Sequence, residues 1–148
     1  MKTIINSIEE HRVNFDNAKL LKEKGFAVPC NTHTFISNTN KIVQETSVCC
    51  IDWGNRTLKT AQKYSAPTTQ VALDWVLENF DLLITIVPDN DSQHKLLLRK
   101  YTVVIWRFSN GLNVQPTILR VDGKNITYFN APEEAKNAAI SHVLTNLI

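Results

Sequence analysis

The stretch from Ser65 to Phe80, Ser-Ala-Pro-Thr-Thr-Gln-Val-Ala-Leu-Asp-Trp-Val-Leu-Glu-Asn-Phe, constrains this chain more than any other, because it reads as a helix that is apolar on two sides. Ser65 can accept a backbone N–H as N-cap, and Pro67 falls in the first turn, where its missing N–H costs nothing. Ala72, Leu73, Val76, Leu77 and Phe80 form one apolar face at helical period. Val71 and Trp75 lie opposite them, although a surface helix needs only one such face. One side is expected on a sheet. The other, an interface built on Val71 and Trp75, is to be covered either by the N-terminal third of the chain, where Phe15, Leu20, Phe26 and Val28 need burial, or by a second copy across a two-fold axis.

At 148 residues the chain is long enough for one domain that buries roughly two-thirds of its unfolded surface. Within it, residues 1–63 read as a helix-and-hairpin subregion and 64–148 as a helix–strands–helix core. The net charge of +2 is too small to indicate a dedicated nucleic-acid binder. No apolar run approaches the ~20 residues that span a bilayer, and the first ten residues lack the pattern of a signal peptide. Three cysteines, Cys30, Cys49 and Cys50, cannot all pair, so a reducing cytoplasm is the expected compartment.

In chain order, 4–24 reads as helix, broken near Asn14, with Asn14 or Asp16 capping the second piece. Gly25 suits the left-handed position after the helix, and Phe26 can fold back onto Leu21 in a Schellman ending. Strands are expected near 32–37 and 42–52, and a short helix over 56–63. After the central helix, 81–87 reads as a strand stopped by Pro88, and 88–96 as a polar loop. Leu98–Phe108 is apolar on both faces and therefore a central strand. Asn110-Gly111 and Asp122-Gly123 are hairpin signals that divide 98–129 into strands 98–108, 113–121 and 125–129. Asn130-Ala-Pro-Glu133 reads as a capping box for a last helix over 132–147. The fold expected is α+β: an antiparallel sheet of about four strands, helices 66–80 and 132–147 on one face, and an added N-terminal helix and hairpin.

Four groups of residues can carry chemistry. Arg56, Lys59 and Lys63 between Trp53 and Tyr64 place cations among aromatics, the combination that tracks a phosphate backbone while bases stack; a plain solvated face has the same composition. Cys30, His33, Cys49 and Cys50 offer nitrogen and sulfur ligands, but adjacent cysteines in a strand point to opposite faces, so buried free thiols are expected rather than zinc. Asp89, Asp91 and His94 share the 88–96 loop, where a small hydrolase would place its site. His142 sits on the shoulder of the last helix's apolar face and reads as a packed histidine. The chain holds only four glycines and no phosphate-binding or hydrolase motif, so no cofactor and no metal are expected, and no catalytic residue is assigned.

Ser65-Ala-Pro-Thr-Thr-Gln with Trp75 beyond it, Glu78-Asn79 leading into a strand, and Lys22-Glu-Lys-Gly-Phe26 near the N-terminus together resemble small uncharacterised proteins of bacteriophages, prophages and mobile elements of gut bacteria. The chain departs from them with Val-Leu-Glu-Asn-Phe after Trp75, where a basic run is usual. The resemblance implies a bacterial host cytoplasm and no activity to carry over. Glu134–Ala139 is also locally similar to the last helix of double-stranded-RNA-binding domains, yet Pro132-Glu-Glu134 stands where those place lysines and would repel phosphates. The leading expectation is a non-enzymatic accessory protein acting through protein contacts, including those of a homo-oligomer. The alternatives are a weak nucleic-acid binder using 53–64 and a small hydrolase at 88–96.

Overall fold

The central helix opens three residues later than its sequence suggests. In the computed structural model, which describes residues 11–47, 54–55, 62–89, 100–109 and 113–148, Thr68 is the N-cap and the helix (α2) spans Thr69–Phe80. The Thr68 hydroxyl accepts the Val71 N–H at 3.3 Å. Ser65 instead ends a short strand (β3, Lys63–Ser65), and Ala66, which precedes a proline, is biased away from helical backbone. The delay has a tertiary cause as well. Residues 11–13 run antiparallel to 67–69, the Val13 N–H donating to the Pro67 carbonyl (3.1 Å) and the Thr69 N–H to the His11 carbonyl (2.9 Å). Residues 11–14 are therefore extended rather than helical, and the first helix, α1, spans only Phe15–Glu23; the expected helix before residue 11 lies outside the described residues.

Both ends of α1 follow local chemistry. The Asn14 side chain accepts the Asn17 N–H at 2.9 Å. Gly25 adopts φ +90°, and the Phe26 and Gly25 N–H groups return to the Leu21 and Lys22 carbonyls at 2.9 and 3.1 Å, which is the Schellman pairing. This ending turns Phe26, 1% exposed, into the core.

The fold is α+β, but the strands form two antiparallel sheets of three rather than one sheet of about four. The first has the order β2-β1-β3, with β1 Thr32–Ile36 and β2 Ile42–Thr46. The second has the order β4-β5-β6, with β4 Leu82–Asp89, β5 Lys100–Ser109 and β6 Asn113–Ile118. β5 is the central strand of its sheet, as its two apolar faces require. Pro88 does not stop β4, and Pro116 lies within β6; both strands are edges, where a missing N–H leaves no ladder bond unmade. The expected 125–129 strand reduces to one residue, Phe129, which exchanges hydrogen bonds with Tyr101 at 2.8 and 2.9 Å. Asp122-Gly123 does not make a two-residue hairpin there. The Asp122 carboxylate accepts the Lys124 and Asn125 N–H groups, and Leu119 accepts the Thr127 N–H, which closes a wider loop. The short helix expected over 56–63 lies outside the described residues except for Gln62 and Lys63, and Lys63 is strand.

α2 and the last helix, α3 (Pro132–Asn146), cover the inner face of β4 and β5. There Leu82, Ile84, Val103 and Ile105 meet Val76, Ala139, Ile140 and Val143 in one apolar cluster. α1 lies against α3, joined through fully buried Asn17, whose Nδ2 donates to the Asn137 carbonyl at 2.7 Å. The anticipated capping box of α3 does not form. Ala131 is the N-cap, without a side-chain bond, and the Glu133 carboxylate is taken by the Thr69 hydroxyl (2.9 Å) and the Lys136 ammonium (2.8 Å). Glu133 thus ties the start of α3 to the start of α2.

Burial of the Glu133 carboxyl raises its pKa, but the hydrogen bonds from Lys136 and Thr69 outweigh it and hold the group below the usual carboxylate value. A depressed folded pKa contributes stability above the unfolded pKa that is lost as pH falls through the folded one. Glu133→Gln is therefore expected to cost about 1 kcal/mol at neutral pH, a cost that shrinks as acidification protonates the folded carboxyl. Urea unfolding of the two chains at several pH values checks this; a cost that does not shrink on acidification contradicts the assignment.

Candidate functional site

Of the residues expected to face a nucleic acid, Trp53, Arg56 and Lys59 lie outside the described residues. Lys63 and Tyr64 are neighbours in β3 and so point to opposite faces of their sheet. The Lys63 ammonium sits 5.1 Å from the Phe35 ring on one face. Tyr64 on the other meets Phe15 edge-on at 5.5 Å and lies under the Lys22 ammonium at 5.3 Å. These two side chains do not make one surface.

Cys30 and His33 are likewise placed for structure. The Cys30 thiol donates to the Thr32 carbonyl at 3.0 Å, and burial pushes its pKa above the ordinary thiol value, away from thiolate reactivity. His33 in β1 stands between Ser65 of β3 and Glu45 of β2, its Nε2 3.1 Å from the Glu45 carboxylate. Serine, histidine and glutamate in cross-strand register match the residue types of a hydrolytic triad. Here Ser65 is 0% and His33 3% exposed, so the hydroxyl does not meet a substrate. Burial lowers the His33 pKa, Glu45 opposes this, and Lys63 adds to it, keeping the ring neutral and apolar enough to stack on Phe35 at 5.6 Å. No group of three potential metal ligands occurs among the described residues. Cys49, Cys50, Asp91 and His94 lie outside them; Asp89 ends β4, opposite Lys100.

Trp75 is 9% exposed, with Phe26 and Phe80 edge-on at 5.3 and 5.2 Å; Val71 is half-buried beside the same cluster. The back of α2 is thus covered from within the chain by the residue that the Schellman ending delivers.

The uncovered apolar surface is on the other side of the second sheet. Because α2 and α3 cover only its inner face, the alternating residues Leu83, Thr85 and Val87 of β4, and Val104, Trp106 and Phe108 of β5, form an outer face with Ile118 of β6. Val87 is 41% and Ile118 39% exposed, and the others are half-buried. The Trp106 indole N–H donates to the Thr85 hydroxyl at 3.0 Å. The ring's one polar atom is therefore satisfied within the sheet, and its π-face is left for apolar contact. Among the described residues of β4 and β5 on this face, the charged pair is at one end, where Asp89 faces Lys100. The two apolar faces of this strand are legible in the sequence and mark it as central, but they do not tell which face the helices leave open.

Comparison with protein-family models, with curated proteins and with solved structures finds no match. No helix among the described residues is long and apolar enough to cross a membrane.

Proposed function

We propose that the chain is a non-enzymatic accessory protein, of the phage or mobile-element kind its sequence resembles, that works by binding another protein through the outer face of β4-β5-β6. The observation that supports this is the uncharged row of half-buried Leu83, Val104, Trp106 and Phe108 flanked by exposed Val87 and Ile118 on that face. Three strands about 4.8 Å apart over some six residues make an apolar patch on the order of 300 Å², the size at which monomer surfaces mark contact sites. A standard interface buries about 800 Å² per partner, so the patch serves as the apolar centre and the polar residues around it as the rim. Trp106, central and with its N–H already bonded, is the anchor.

Val87→Glu with Ile118→Glu places two carboxylates on the face at positions exposed enough to leave the fold intact. The double variant should retain its circular dichroism and thermal midpoint yet lose the partners that the unaltered chain captures from the host, by at least tenfold in yield. Equal capture of the same partners by both chains would refute this surface. Titration with single- and double-stranded oligonucleotides at low salt separates the competing reading. Micromolar affinity that falls steeply with added salt marks a nucleic-acid binder instead.

A further inference from the structure

Two helices cannot cover three strands. α2 and α3 lie on β4 and β5, and beyond them the inner side of β6 borders an open cleft of about 740 Å³ against the C-terminal half of α3. Its floor is Ile105 and Leu119, and its helical wall is His142 and Leu147. Arg107 and Arg120 stand on its rim, and no carboxylate lines it among the described residues. Arg107 faces Gln115 within the sheet, while Arg120 lies two residues beyond the end of β6, so the two cations stand at different ends of the lining. The Arg120 guanidinium donates to the Lys124 carbonyl at 2.8 Å, which orients it without neutralising its charge. Neither arginine has an acidic partner within ion-pair distance among the described residues.

We infer that this cleft binds a small amphipathic anion, an oxyanion head on an apolar chain. The volume lies in the range of small-molecule sites, and the lining has the character of one: an apolar bed with a few placed polar groups. Guanidinium is the side chain that meets carboxylate or phosphate oxygens bidentately, and a cation with no acid beside it selects for negative charge. The apolar chain lies along half-buried Leu147 and the exposed Ile118 edge of β6, above a closed floor of Ile105 and Leu119, while the head pairs with the arginine at one end. The cleft opens on the inner side of the sheet and shares Ile118, at the edge of β6, with the proposed protein contact.

The test uses the full chain and four probes: octanoate, octyl phosphate, octanol and acetate, followed by calorimetry and by methyl shifts of Ile118 and Leu147. Octanoate or octyl phosphate should bind at least tenfold more tightly than octanol and acetate, and shift both methyl groups. Whichever of the two anions binds more tightly identifies the head as carboxylate or phosphate. Arg107→Gln or Arg120→Gln should weaken that binding at least tenfold, the sensitive position marking the end that holds the head; both arginines are exposed, so both variants fold. Octanol binding as tightly as the anions, or an Arg107→Gln, Arg120→Gln double variant within twofold of the parent, would overturn the assignment.

Discussion

Phe26→Ala should destabilise the protein by about 3–5 kcal/mol, the largest single-residue loss expected at the junction between the N-terminal segment and α2. The ring is 1% exposed and meets Trp75 edge-on at 5.3 Å, so truncation removes buried area and opens a cavity in a place where two rigid elements, the Schellman turn and α2, limit collapse. The aromatic contact adds a further part of the loss beyond area alone. In a background carrying Trp53→Phe and Trp106→Phe, the Trp75 emission should also move to the red as water reaches the indole. Urea unfolding of the variant gives the energy and fluorescence the environment. A loss under 1 kcal/mol with unchanged emission would show that something other than Phe26 covers the helix.

Asn17→Asp comes second, with an expected loss of about 3 kcal/mol at neutral pH. Asn17 is fully buried, and its amide nitrogen donates to the Asn137 carbonyl at 2.7 Å and to the Asn137 side-chain oxygen at 3.2 Å. A carboxylate there removes both donors and sets a buried negative charge against two acceptor oxygens. Such a group is easier to protonate in the folded chain than in the unfolded one. Its folded pKa therefore rises, and the penalty is full above that pKa and relieved as pH falls through it. The difference in unfolding free energy between variant and parent should shrink from pH 7 to pH 4.5. A difference independent of pH would mean that the side chain escapes to solvent and that α1 is not fixed to α3 by this contact.

What could be read from sequence was whatever local chemistry decides. Asn14 caps α1 and Gly25-Phe26 ends it because each device needs only residues within six positions of one another. The central place of β5 followed from its two apolar faces. The rest was decided at long range. Ser65, Thr68 and Thr69 are all competent N-caps; the pairing of residues 11–13 with 67–69 selects Thr68, and nothing near Ser65 records it. Asn130 and Glu133 have capping-box spacing, but the Thr69 hydroxyl, 64 residues away, takes the glutamate. β3 is three residues long and exists because Lys63–Ser65 completes a sheet with β1, and that pairing turns one expected sheet into two. The basic and aromatic spacing at 53–64 ignored the period of two, which sends Lys63 and Tyr64 apart. The outer face of β4-β5-β6 was present in sequence only as excess apolar residues, since the alternation cannot say which face the helices take.

Solvent exposure of that face is best measured directly, by methyl relaxation in the isolated monomer with a soluble paramagnetic agent. Val87 and Ile118 should relax strongly, while Ile84, Val103 and Ile105 on the inner face, all at or below 8% exposed, should be little affected. If Val87 and Ile118 prove as protected as Ile105 in the monomer, the chain covers its own sheet, and the protein-binding surface proposed here does not exist.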